Sequence, residues 1–188
     1  MRFVDTLLDL PGLVGAELEP SPWVTVDQGM IDRFADVTDD HNWTHVDLAR
    51  AARDNPHGKT IAHGLLTLSL VVGMAQKIVA VRRQVKAFNY GFDKVRFIEP
   101  VPVGSRVRLH MKVQSAEQRP SGIMIRREFT MELEGATRPA MVAEMLTLVV
   151  GLSPHWADGS RRWPKGLFAG IWQANSWRCM APSSWISP

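Results

Sequence analysis

The stretch from Gly64 to Val81, GLLTLSLVVGMAQKIVAV, constrains the fold of this chain more than any other. Read as a helix, it carries Leu65, Leu66, Leu68, Leu70, Val71, Val72, Met74, Ala75, Ile78 and Val79, which surround its first half. Such a helix must be buried on nearly all sides. Gln76, Lys77, Arg82 and Arg83 make the second half amphipathic and cut the run short of a membrane span. The chain after it alternates with a period of two. Val107, Leu109, Met111 and Val113 interleave with Arg106, Arg108, His110 and Lys112, while Ile123, Ile125, Phe129, Met131 and Leu133 interleave with Arg126, Glu128, Thr130 and Glu132. These are strands with one wet face. Met141 to Val150 is apolar at almost every position and suits a strand nearer the centre of a sheet. Val85 to Ile98 is a fourth strand, closed by Glu99-Pro100-Val101-Pro102.

One all-round apolar helix and a run of antiparallel strands predict an α+β architecture in which the sheet wraps around the helix, the hot dog arrangement. Its free sheet edge is a liability that pairing with a second copy removes, so a homodimer is expected. The 188 residues suit one globular domain. That domain is placed at residues 1–152, and the appended segment 153–188 holds five of the seven tryptophans. The segment reads as a loosely folded extension, or as a flap or partner contact. Toward the N-terminus, Met1 to Pro22 reads as a leader with a short helix and Trp23 to Val26 as a brief strand. Asp27 is the expected N-cap of a helix with Met30, Ile31, Phe34 and Val37 on one face. Asp39 to His45 is expected to be a structured turn, followed by a short helix over Val46 to Ala52 and an exposed loop at Asp54 to Gly58.

The net charge of +3 comes from scattered Lys and Arg without a block of like charges, so no nucleic-acid footprint is visible. A single cysteine, Cys179, rules out an internal disulfide and any multi-cysteine metal site and fits a reducing compartment. Residues 1–15 lack the pattern of a signal peptide. A soluble, cytoplasmic protein without membrane contact is expected.

Two groups of residues carry the candidate chemistry. Asp40 and His45 flank a turn, where a carboxylate and an imidazole share acid/base work on one water or one substrate proton. Imidazole, with an ordinary pKa of about 6.5, holds or releases a proton near neutrality. Asp-rich turns more often cap helices, so this pair alone is weak. The second group, Thr60-Ile61-Ala62-His63-Gly64, leads into the N-terminus of the apolar helix, whose first amides lack intrahelical partners at the positive end of the dipole. Gly64 allows close approach to the backbone, and an N–H there would stabilise the enolate of a thioester. The plainer alternative is a tight turn at Gly64 and a hydrogen-bonded core histidine at His63. His41 and His45 share a helical spacing, but Asn42 stands where a zinc-protease motif needs Glu, so no metal site is expected.

Asp40-His41-Asn42-Trp43-Thr44-His45, followed by Ile61-Ala62-His63-Gly64-Leu65, resembles the signature of the MaoC-like dehydratases, the (R)-specific enoyl thioester hydratases, and especially their nodulation-protein-N-like branch. The resemblance runs from about Val24 to Val150 and includes Asn89-Tyr90-Gly91 and Lys94-Val95-Arg96-Phe97. It implies the hot dog fold and reversible syn addition of water to a trans-2-enoyl thioester, giving an (R)-3-hydroxyacyl thioester. No metal or redox cofactor is implied. Asp40 and His45 become the dyad that activates water, Gly64 donates its amide to the thioester oxygen, and Asn42 supports the turn. His63 and Arg96 are the further residues expected at the substrate. Arg96, with Lys94 and Arg126, is a candidate for the phosphates if the carrier is coenzyme A and not acyl carrier protein, although strand alternation turns most such arginines to solvent. Trp43 replaces a proline common in that family, and Val72 replaces a supporting serine before a glycine. A thioesterase on the same fold, or a non-catalytic acyl-binding module, is the alternative reading.

Overall fold

The computed structural model describes residues 1–150, so the expected boundary at 152 and the Trp-rich segment fall outside the described residues. The chain runs through β1 (Arg2–Val4), a 3-10 helix (Leu7–Leu13), β2 (Val24–Thr25), α1 (Gln28–Thr38), α2 (Trp43–Val46), α3 (Leu48–Asp54) and α4 (Gly64–Ile78). It continues with β3 (Val79–Val81), β4 (Ala87–Phe97), β5 (Arg106–Arg119), β6 (Gly122–Leu133) and β7 (Met141–Val149). The last four strands and β2 form one antiparallel sheet in the order β2-β5-β6-β7-β4. α4 packs against β5 and β7, which gives the hot dog arrangement expected from the sequence.

Strand parity builds the core. Val107, Leu109, Met111 and Val113 of β5, Ile125, Phe129 and Met131 of β6, and Met141, Ala143 and Met145 of β7 are buried beneath Val71, Met74 and Ile78 of α4. The opposite faces of β5 and β6 carry cross-strand ion pairs, Arg108 with Glu132 at 2.6 Å and Arg106 with Glu134. β7, apolar along its length, lies inside the sheet between β6 and β4, as its composition predicts.

Four local expectations are revised. α4 stops at Ile78, and Val79–Val81 instead pairs in parallel with Arg2–Val4. The β-branched valines favour extended backbone once a partner strand is present. The helix is also not buried all round, since Leu65 is 58% and Val72 40% exposed. Within one chain the sheet covers a single side of α4. The leader forms a 3-10 helix because Pro11 inside it can neither donate nor fit an α-helical turn. Thr6 and Asp9 close its start as a capping box, with Thr6 N–H donating to Asp9 at 2.8 Å. Finally, Asn42 and Asp47 each cap a short helix, so the expected turn contains α2 and the helix after it begins at Leu48. On α1, Ile31 and Ala35 are buried while Val37 faces out, 85% exposed.

Candidate active site

The site begins with the way α1 ends. Asp39 takes the left-handed conformation, φ 56°, which a short polar side chain tolerates, and its N–H returns to the Ala35 carbonyl. Asp40 N–H donates to the same carbonyl at 3.2 Å. The reversal carries Asp40 back toward the start of α4, where its carbonyl accepts from His63 Nε2 at 2.9 Å. Asn42 then accepts from Thr44 N–H at 3.1 Å and from the Thr44 hydroxyl at 2.9 Å, which starts the single turn that presents His45.

His45 is held on two sides. Its Nδ1 lies 2.7 Å from the Ile61 carbonyl. Because a carbonyl only accepts, that contact puts a proton on Nδ1, so that in the neutral ring Nε2 carries the lone pair. The His45 carbonyl accepts from Gln28 Nε2 at 2.8 Å, and Gln28 Oε1 accepts from the Thr60 hydroxyl at 2.6 Å. Gln28 therefore ties the first turn of α1 to both halves of the site. The residue is polar and unremarkable in sequence, and only its position after the Asp27 cap hinted at it. The His45 ring stacks on His63 with centroids 3.7 Å apart, and His63, buried to 3% exposure, also meets the Phe34 ring at 5.1 Å. With Nε2 donating to Asp40, His63 Nδ1 is enclosed without a partner, an unmet acceptor that the site sustains.

His63 is also the N-cap of α4, yet it makes no side-chain cap. The first amides of α4 are thus left without a capping side chain. Gly64 opens beside a cavity of about 320 Å³ that His45, Ile61, Ala62, Thr67 and Phe97 also line. A Cβ on Gly64 would come within 3.0–3.1 Å of the Phe97 ring, so only glycine fits there without moving the ring. Asp40 is not part of the cavity lining, and its side chain is 56% exposed. It stays close, since a carboxylate oxygen of Asp40 and one ring nitrogen each of His45 and His63 lie within 4.8 Å of one another.

Of the residues expected from sequence, His45 and Gly64 meet at one cavity, Asp40 and His63 each bring an atom within 4.8 Å of a His45 ring nitrogen, and Asn42 shapes the turn. Arg96 is not brought to the cavity. It is exposed on β4 and donates to the Val95 carbonyl at 2.7 Å, because parity turns it away from Phe97. Val72 is also absent from the lining of this cavity. The buried hydroxyl in the wall is Thr67, which contacts the His63 carbonyl at 3.4 Å. His41 sits outside, 3.1 Å from Asp36.

Asp40, His45 and His63 are numerous enough to suggest metal ligands. The two imidazole rings, however, are stacked and lie only 25° from parallel. Stacked rings aim their in-plane lone pairs side by side, whereas a tetrahedral ion needs them to converge. The arrangement suits a hydrogen-bonded water better.

A helix N-terminus and an oriented imidazole meeting at one cavity of a hot dog fold define the class, and comparison with known proteins gives the family. The model described as "MaoC like domain" matches residues 9–130. Nodulation protein N of Rhizobium leguminosarum bv. viciae is 44% identical over 146 residues, covering 77% of this chain and 91% of that protein. The 3-hydroxyacyl-thioester dehydratase Z of Mycobacterium tuberculosis is 42% identical over 151 residues, covering 80% of this chain and 99% of that protein. The solved (R)-hydratase of A. caviae involved in PHA biosynthesis superposes with a TM-score of 0.56, at 22% identity over 71% of this chain and 98% of its own. The chain belongs to the MaoC-like dehydratase family. No helix among the described residues is long and apolar enough to cross a membrane.

Proposed function

We infer that the protein is a 3-hydroxyacyl-thioester dehydratase that also runs as an enoyl thioester hydratase, adding water to a trans-2-enoyl thioester to give the (R)-3-hydroxyacyl product. The observation that carries this reading is the His45 Nδ1 contact to the Ile61 carbonyl, which leaves Nε2 as a base beside the uncapped start of α4. The Asp40 carboxylate and a His45 nitrogen, at most 4.8 Å apart, are spaced so that one water about 2.8 Å from each bridges them. In hydration that water loses a proton to the pair as its oxygen bonds to C3. The pair returns a proton to C2, so water adds across the double bond without net oxidation. Charge developing on the thioester oxygen meets the Gly64 N–H at the positive end of α4. Thr67 and Phe97 shape the wall at that end.

The chemistry needs no redox cofactor. The carrier is coenzyme A or acyl carrier protein, and a cytoplasmic location is in keeping with either. Two copies pair through the free edge of β4, where Phe92 is 37% exposed. Light scattering at twice the mass of one chain supports that pairing, and a single-chain mass contradicts it.

A panel of trans-2-enoyl-CoA substrates, followed by loss of enoyl absorbance, tests the reaction and the depth of the pocket together. Release of free thiol from saturated acyl-CoA with no enoyl turnover would instead make the protein a thioesterase. Gly64→Ala tests the helix amide. The new methyl group forces the Phe97 ring aside, and misplacement of this size at the reacting carbonyl is expected to lower kcat/KM about 10²-fold. Steady-state kinetics beside a thermal melt check this, since the half-exposed ring can yield without unfolding the domain.

A further inference from the structure

Arg127 breaks the pattern of its strand. Ile125, Arg127, Phe129, Met131 and Leu133 share the core-facing parity of β6, and Arg127 is the one charge among them. Its Nη2 donates to the Thr147 hydroxyl at 2.7 Å, on the core-facing row of β7, and lies 3.7 Å from Met145 Sδ. Its Nε is enclosed with no partner. The Phe129 ring, 5.4 Å from the guanidinium carbon, compensates the charge only in part. Among the described residues no carboxylate pairs with it, although the wet-face arginines Arg106, Arg108 and Arg126 are all paired. Burial without a countercharge pushes the Arg127 pKa down to about 10, still high enough to keep it charged at neutral pH. A half-buried cation with an enclosed Nε and no countercharge is costly.

The same guanidinium lines a cavity of about 290 Å³ beneath the C-terminal half of α4. Met111 and Met145 supply apolar wall, and Gln76, Gln84 and Asn89 are the uncharged polar residues with amide side chains in the lining. It shares no lining residue with the cavity at Gly64. We propose that this cavity is a second binding site, in which Arg127 holds the carboxylate of a small, otherwise apolar organic acid. One cation matches one negative charge, the guanidinium fork matches a carboxylate, and the amides can bond its remaining lone pairs. The methionines accept an aliphatic tail, and the volume limits the ligand to a small one. A phosphate dianion would keep an unmatched charge in this setting.

The carboxylate has two chemical sources, a free short-chain acid or the far end of a dicarboxylic acyl thioester whose head lies at Gly64. Hexanoate and octanoate probe the first by calorimetry and by titration of the Arg127 Nε–H resonance in the wild-type protein. A trans-2-enoyl-CoA ending in a carboxylate, compared with its methyl-ended counterpart, probes the second by its KM. The proposal expects saturable binding of one source, a shift of the Nε–H signal, and at least about a tenfold loss of that binding or KM preference in Arg127→Met. Arg127→Met should melt no lower than wild type and keep its rate on crotonyl-CoA. No Nε–H shift with either probe, or equal affinity in wild type and Arg127→Met, overturns the proposal. So does a carboxylate of a second copy, or of residues beyond 150, found bonded to Arg127. The Nε–H titration uses unaltered protein, so the result stands even if the variant fails to fold, and the free-acid arm is independent of hydratase activity.

Discussion

Asp40→Asn and His45→Ala are each expected to lower kcat/KM for a short trans-2-enoyl-CoA by about 10²–10⁴-fold, the range for loss of a positioned acid or base. The double variant should fall little further than the worse single one, because two groups sharing one water act as a unit. Asp40→Asn removes a half-exposed carboxylate whose backbone carbonyl does the structural work, so its melt should match wild type. His45→Ala also loses the bond to Ile61, worth about 1 kcal/mol of stability. Kinetics and thermal melts on the three variants separate the two effects. Rates unchanged in both single variants would remove the dyad from the mechanism.

The largest effect on stability is expected in the sheet. Among the described residues Phe129 is the largest fully buried side chain, on β6 between Met111 of β5 and Ala143 of β7. Phe129→Ala removes most of the ring and leaves a cavity in the layer beneath α4, at a cost of about 3–5 kcal/mol. For a domain whose whole stability is about 5–15 kcal/mol, that loss lowers the melting temperature by about 10 °C. Urea unfolding should show a lower midpoint with the slope preserved. Phe129→Leu, which retains more volume, should recover much of the loss.

Periodicity made α4, the four long strands and the interior place of β7 legible, because burial on one face writes itself into local sequence. The β1–β3 pairing was not legible, since Arg2–Val4 and Val79–Val81 meet across more than seventy residues and neither segment alternates long enough to signal a strand. At the site, Asp40, His45 and Gly64 announce themselves through residue type and spacing. Gln28 and Phe97 do not, because their roles come from what the fold sets beside them, the His45 carbonyl and the Gly64 backbone. Arg96 reads as a ligand for phosphate in sequence, and strand parity turns it outward. Arg127 was visible in principle. A charge at a core-facing position is as plain in the sequence as the hydrophobic residues on either side of it.

In the proposed mechanism one water, held by Asp40 and His45, is delivered to one face of a double bond whose carbonyl rests on the Gly64 amide. Hydration of crotonyl-CoA in deuterated water, with the configuration at C2 and C3 assigned by NMR, tests this most directly. The predicted product is (R)-3-hydroxybutyryl-CoA with deuterium at C2 added to the same face as the oxygen. Addition to opposite faces, an (S) product, or no hydration at all would contradict it.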